Sequence, residues 1–291
     1  MSLTFLASRI HDPKSKIPNI SKRAFIPRQS ILTNAFSVLL NYLSPKFFPL
    51  HRGIVIIPTY NEKGNIGRII EAVMALETPL HVLVVDDNSP DGTADIVRAL
   101  QTSFPDALHL LVRTKKQGLG TAYIAGFKHC ISLGYDYIFE MDADFSHDPN
   151  DLPRLLAACT DRGADMSVGS RYVSGGKVNN WPVSRILISY FASLYVRAVL
   201  WVNIKDATAG VVCYRREVLE TINLDEIEFV GYAFQIEMKY AAIKNGFSLE
   251  EVPITFIDRQ VGSSKMNIGI FKEAFFGVLK MKFNSRQWAV S

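Results

Sequence analysis

Residues 80–93 read Leu-His-Val-Leu-Val-Val-Asp-Asp-Asn-Ser-Pro-Asp-Gly-Thr, an apolar run of strand length that stops on two acids and a turn. The run Leu80 to Val85 predicts a buried strand, and the segment from Asn88 to Thr93 is rich in turn and helix-start residues. Asp86 and Asp87 close the strand, where carboxylates are costly unless they meet a ligand or serve the turn. A carboxylate there can accept from a nucleobase N–H and a ribose hydroxyl. It can equally be part of the turn and helix start, and the spacing alone leaves both readings open.

Working outward, the same unit recurs from Gly53 onward. A strand over Gly53–Pro58 runs into Thr59-Tyr60-Asn61-Glu62, and a helix follows over about 65–76. Beyond residue 93 come a helix, a strand over Leu108–Val112, a helix over Thr121–Leu133 and a strand over Tyr137–Met141, which runs into Asp142-Ala143-Asp144-Phe145-Ser146-His147. Short apolar runs alternating with helical periods predict an α/β fold, an open, mostly parallel sheet flanked by helices. Ligands of such sheets collect beyond the carboxyl ends of the strands. The polar edges after strands one, two and four are therefore expected to converge on one cleft.

Asp142 and Asp144 lie two apart in that edge, so both carboxylates can turn to one point. Hard oxygen donors of this kind suit Mg2+ or Mn2+ shared with phosphate oxygens. Solvated or helix-capping aspartates are the plain alternative, and Asp148, just before Pro149, is the expected cap. Tyr60 can stack on a base and Glu62 accept from a sugar hydroxyl. Arg171, Arg185, Arg259 and Lys265 form a set of cations able to hold phosphates, although each alone is commonly a surface charge.

The chain of 291 residues is 48% hydrophobic and 21% charged, enough to bury one large core or two modest ones. Cys130, Cys159 and Cys213 stand at wide spacings, against both a zinc site and a disulfide framework. The net charge of +4 hides an asymmetry: residues 1–50 hold seven Lys or Arg against the single acid Asp12. This predicts a basic N-terminal extension over 1–50, suited first to anionic membrane, with a transit peptide, a nucleic-acid tail or sequence upstream of the true start as the alternatives, and a catalytic domain over 51–291. The domain is net negative, which argues against nucleic acid as a partner. No run reaches the roughly 20 uninterrupted apolar residues of a transmembrane helix. Ile31–Leu43, Ile186–Val202 and Ile268–Phe283 have the spacing of helices that lie on a membrane surface, or that face a core.

From Gly53 to about Lys282 the chain resembles the dolichol- or polyprenol-phosphate mannose synthases of glycosyltransferase family 2, which have the Rossmann-like GT-A fold. The resemblance rests on several motifs in order: Pro-Thr-Tyr-Asn-Glu, Asp-Asp-Asn-Ser-Pro-Asp-Gly-Thr, Gly-Leu-Gly-Thr-Ala-Tyr at 118–123, Met-Asp-Ala-Asp-Phe-Ser-His, Gly-Ser-Arg-Tyr, and a late Asp-Arg followed by Ser-Lys. It implies inverting transfer of mannose from GDP-mannose to a polyprenyl phosphate at the cytoplasmic face of a membrane, by a peripheral enzyme that in some cases works with a separate membrane subunit. It implies that Pro58, Tyr60, Glu62, Val85 and Asp87 meet the nucleotide, and that Asp142, Ala143 and Asp144 hold metal and diphosphate. Arg171, Arg185, Arg259 and Lys265 would then handle donor and acceptor phosphates. The rival readings are a synthase using UDP-glucose on the same lipid and a non-catalytic adaptor with the same fold. Ser146 stands where some relatives carry Gln, and residues 1–50 have no counterpart in the family pattern.

Overall fold

The computed structural model describes residues 51–258, 268–283 and 288, all within the unit that begins at Leu50. The basic extension, with its expected helix over 31–43, lies outside the described residues, as do Arg259 and Lys265. The four expected strands form as β1 (Gly53–Thr59), β2 (Leu80–Asp86), β3 (Leu108–Val112) and β4 (Tyr137–Glu140), connected by α1 (Ile66–Met74), α2 (Thr93–Gln101) and α3 (Leu119–Ser132). There follow α4 (Leu152–Thr160), β5 (Met166–Ser170), β6 (Lys177–Asn179), α5 (Val183–Leu200), β7 (Val212–Arg215), α6 (Arg216–Thr221), α7 (Tyr232–Lys244), β8 (Leu249–Pro253), β9 (Thr255–Ile257) and α8 (Ile268–Phe283).

Seven strands make one sheet in the order β3-β2-β1-β4-β7-β5-β8, while β6 and β9 pair apart from it. β7 runs antiparallel to both β4 and β5, and the other pairings are parallel. Alternate residues of the central strands enter two cores. Ile54, Ile56, Leu83 and Val85 pack on one face of the sheet, and Val55, Ile57, Val82 and Val84 on the other. Burial on both faces explains why β1 and β2 read as continuous apolar runs rather than as alternation. On the first face α3 lies hard against β1: a Cβ at Gly126 would sit 2.8 Å from Ile56 Cγ2, so a larger residue would force the Ile56 side chain to shift.

β1 is flanked by β2 on one side and β4 on the other. The chain therefore builds outward in both directions from β1, and such a reversal opens a crevice beyond the strand ends. Register sets what meets there, since Thr59 of β1 pairs with Asp86 of β2 and Ile56 with Glu140, two residues before Asp142.

Of the two readings left open for the segment over Ile186–Val202, surface or core, the packing of α5 leaves most of its apolar face exposed. Ser193, Val196 and Leu200 are buried, while Val183, Leu187, Ile188, Tyr190, Phe191 and Leu194 are exposed. By length and composition alone α5 could cross a membrane. It packs on its own domain through those buried residues and through Tyr195, which stacks on Phe275 of α8 at 4.8 Å.

Candidate active site

The loops after β1 and β2 are tied together before any ligand is considered. Asp86 is fully buried, and its Oδ1 accepts from Thr59 Oγ1 at 2.8 Å and Ser89 Oγ at 2.7 Å while Oδ2 accepts from the Ser89 amide at 2.8 Å. Both oxygens serve the turn, so of the two readings of Asp86 the structure shows the bracing one. Asp91 accepts from the Thr93 amide at 3.0 Å and its hydroxyl at 2.6 Å, and the Thr93 hydroxyl lies 3.0 Å from the Glu62 amide. Asn61 and Asn88 turn these loops with φ of 61° and 55°, a left-handed conformation that asparagine tolerates better than most residues.

Asp87 is also buried and carries a partner that the motifs did not suggest. Arg113, just beyond β3, donates Nε to Asp87 Oδ1 at 2.5 Å and Nη1 to Thr121 Oγ1 at 2.8 Å. The Gln117 amide reaches Asp87 Oδ2 at 3.4 Å. Tyr60 lies under Lys116 Nζ, 4.2 Å from its ring centroid. The Glu62 carboxylate accepts from Asn65 Nδ2 at 3.0 Å. Pro58 and Val85 stand opposite each other in the β1–β2 register, and Val85 is fully buried, so its backbone is what it offers to the crevice.

After β4 the acidic loop turns back over the strand ends. Asp142 is half-buried and accepts from Tyr123 Oη at 3.4 Å, while Ala143 and Asp144 are buried, Asp144 taking the Ser146 amide at 3.0 Å. Burial, with Asp142 beside it, raises the Tyr123 phenol well above its usual range, so Tyr123 remains a donor to Asp142. Phe145 adopts φ of 59°, an uncommon conformation for a bulky residue, and it re-aims the chain directly after Asp144. His147 is buried against Phe256, and burial lowers its pKa to about 4, leaving the ring neutral at pH 7. Asn65, Arg68, Asp144, Phe145, His147 and Asn150 help to line a cavity of about 320 Å3. Asp148 is the expected cap, accepting from the Asn150 amide at 2.9 Å.

The cations are less open than expected. Arg171 is buried and bidentate on Asp206, Nε to Oδ2 at 2.7 Å and Nη2 to Oδ1 at 2.6 Å, with Thr208 Oγ1 at 2.9 Å. Burial pushes the Asp206 carboxyl up, but the charge and hydrogen bonds of Arg171 outweigh it and hold it below the usual range. Much of the Arg171 fork is therefore committed to an internal ion pair with Asp206. Arg185, in the first turn of α5, contacts Asp258 at 3.1 Å and packs over Trp181 at 4.0 Å. Trp181 had drawn no notice in the sequence.

Beneath the loops lies a buried polar layer that the motifs only hint at. Lys239 of α7 is fully buried and donates to Ala209 O at 2.8 Å, Gln235 O at 3.1 Å and Gln235 Oε1 at 3.0 Å. Gln235 Nε2 in turn reaches Glu140 Oε2 at 2.5 Å. Burial raises the Glu140 carboxyl and lowers the Lys239 ammonium, each opposed by the other's charge. This layer links the strand leading to Asp142 with the 206–210 loop, whose Gly210 faces the acidic edge: a Cβ there would lie 3.8 Å from Asp142 Oδ2 and 3.5 Å from His147 Cε1.

Residues 54–222 match the model of glycosyl transferase family 2. The chain belongs to that family. This glycosyltransferase is 49% identical over 238 residues to the polyprenol monophosphomannose synthase of Mycolicibacterium smegmatis, covering 82% of this chain and 89% of the relative. It is 48% identical over 239 residues to the undecaprenyl-phosphate mannosyltransferase of Micrococcus luteus, covering 81% and 96%. Its fold resembles that of glucosyl-3-phosphoglycerate synthase from Mycobacterium tuberculosis, solved with Mn2+, UDP and glucosyl-3-phosphoglycerate, at a TM-score of 0.58 and 15% identity over 80% of each chain. The open, mostly parallel sheet of this glycosyltransferase is thus the GT-A arrangement. Among the described residues no group of three His, Cys, Asp or Glu side chains is set to hold a metal alone. Asp142 and Asp144 offer carboxylate oxygens beside the crevice, a donor set that fits Mg2+ or Mn2+ when phosphate oxygens complete the shell.

Proposed function

We propose that this glycosyltransferase moves mannose from GDP-mannose to a polyprenyl phosphate, with inversion at the anomeric carbon, at the cytoplasmic face of a membrane. The names of two relatives nearly half identical to this chain support mannosyl transfer to a polyprenyl phosphate. The observation that carries the chemistry is the acidic loop at the end of β4, set in the crevice beside the braced loops after β1 and β2. In this reading Asp87, with Pro58, Tyr60, Glu62 and the Val85 backbone, meets the nucleoside. Asp142 and Asp144, with the Ala143 backbone between them, would hold a divalent cation and the diphosphate, and such a cation would supply Lewis-acid neutralisation of the leaving group.

A lipid phosphate is already an anion at neutral pH, so the nucleophile needs little help from a general base. One of its oxygens forms the new bond to the anomeric carbon as the bond to the GDP oxygen breaks on the opposite face. Alignment and charge placement then supply most of the acceleration. Arg171 keeps the 206–208 loop in place through Asp206, and Arg185, Arg259 and Lys265 meet the acceptor or donor phosphates. A radiolabelled transfer assay tests the reading, with polyprenyl phosphates and a donor panel that includes UDP-glucose, with and without chelator. Chelator-sensitive transfer from GDP-mannose is expected. Faster transfer from UDP-glucose would reassign the donor, and no transfer from any donor would revive the adaptor reading.

A further inference from the structure

We propose that this chain has a second phosphate site, between α5 and the residues preceding Asp206, which takes the headgroup of an anionic phospholipid of the bilayer. Tyr172, Tyr190, Leu194, Arg197 and Lys205 line a cavity of about 200 Å3. Tyr190 and Leu194 are 46% and 44% exposed on the same helix as Leu187, Ile188 and Phe191, so the cavity opens within an apolar surface. α5 carries Arg185 and Arg197 and no acid. Arg185 is matched by Asp258, which leaves the positive charge of the helix concentrated toward its C-terminal half, where Lys205 adds to it.

The surroundings have the composition of a membrane interface. Trp201 is 83% exposed with Lys282 Nζ 3.6 Å from its ring, and Phe275, Phe276 and Phe283 of α8 extend the apolar surface. Aromatic rings with Lys and Arg at the rim of an apolar patch settle at headgroup depth, where long cationic side chains reach the phosphates. Tyr172 and Tyr190 meet edge to face at 5.5 Å and wall the cavity, which places two cations beside an apolar edge. That combination is complementary to a phosphate carried on acyl chains.

The occupant is a bilayer lipid rather than the reacting acceptor. The lining shares no residue with the cavity at Asp144 and His147. A reacting phosphate must come within bonding reach of the anomeric carbon beside the acidic loop. The inference rests on the proposed membrane acceptor only in placing the enzyme at a bilayer, and its test is read without sugar transfer.

Flotation of the full chain with vesicles of phosphatidylcholine, alone or mixed with phosphatidylglycerol, measures the site. Wild-type protein is expected to bind the mixed vesicles more tightly. Arg197→Gln/Lys205→Gln should lose about thirtyfold on the mixed vesicles, equivalent to about 1 kcal/mol for each cation, and little on phosphatidylcholine. Lys205→Gln alone, at an exposed position, should lose about fivefold with an unchanged melting temperature. Transfer to a short-chain polyprenyl phosphate in detergent should be unaltered in both variants. Undiminished binding of the double variant to mixed vesicles would overturn the proposal. So would a raised KM for the short-chain acceptor, which would assign the pocket to the substrate, or displacement from vesicles by glycerol phosphate, which would make it a site for free phosphate. Absence of sugar transfer by the wild type would refute the enzymatic reading while leaving the flotation result intact.

Discussion

At the scale of single residues, neighbouring charges in the crevice have separate work. Asp144 sits on a turned loop, and under the proposed reaction its carboxylate serves the leaving diphosphate, so Asp144→Ala is expected to lower transfer at least about a hundredfold. Its melting temperature should move by no more than about 4 °C. Near-normal transfer by the purified variant would remove the acidic loop from the mechanism. Asp206 is the opposite case, because it neutralises a buried guanidinium. Asp206→Asn leaves Arg171 uncompensated and should cost about 3–5 kcal/mol in urea unfolding, a loss that transfer assays alone would misread as catalytic. The motif containing Arg171 was legible in the sequence, but the role of the side chain was not, since Asp206 lies 35 positions away and nothing in spacing pairs them.

Among the elements, β1 to β4 and their helices were legible almost to their ends, because strands buried on both faces and amphipathic helices write different periods. What those elements do to one another was less so. α7 is an example: its Lys239 appears as an ordinary surface type, yet it is buried and joins the Ala209 carbonyl to Gln235 and so to Glu140. Lys239→Met should therefore cost about 1–3 kcal/mol in chemical denaturation, through the acceptors it strands, and a stability within 0.5 kcal/mol of wild type, the usual range for surface substitutions, would sink that assignment. The outward face of α5 is a second example. Its spacing suited a core or a surface, and only the packing of Val196 and Leu200 against the core chose which face was left exposed.

For the whole molecule, the end of the sheet away from the crevice adds to an acid response that the buried, neutral His147 also drives. His81 Nδ1 and His109 Nε2 share the Tyr135 hydroxyl at 2.6 and 2.9 Å, and burial, followed by the neighbouring positive charges, lowers both pKa values from 6.5. The unfolded chain therefore takes up protons first, so stability is full above about pH 6.5 and falls as pH drops below it. The urea midpoint should decrease from pH 7.5 to pH 5, and His81→Asn/His109→Asn should lessen that slope, with His147 sustaining the remainder; an unchanged slope would show that the two rings do not contribute to it. The sequence by itself determined the fold class, the first four strands with their helices and the three polar edges, because burial period and turn chemistry are local properties of a chain. Only the tertiary structure decided that Asp86 braces a turn, that Arg171 is paired and that Arg113 stands behind Asp87. Those outcomes depend on strand register and on partners distant along the chain, which no local pattern records.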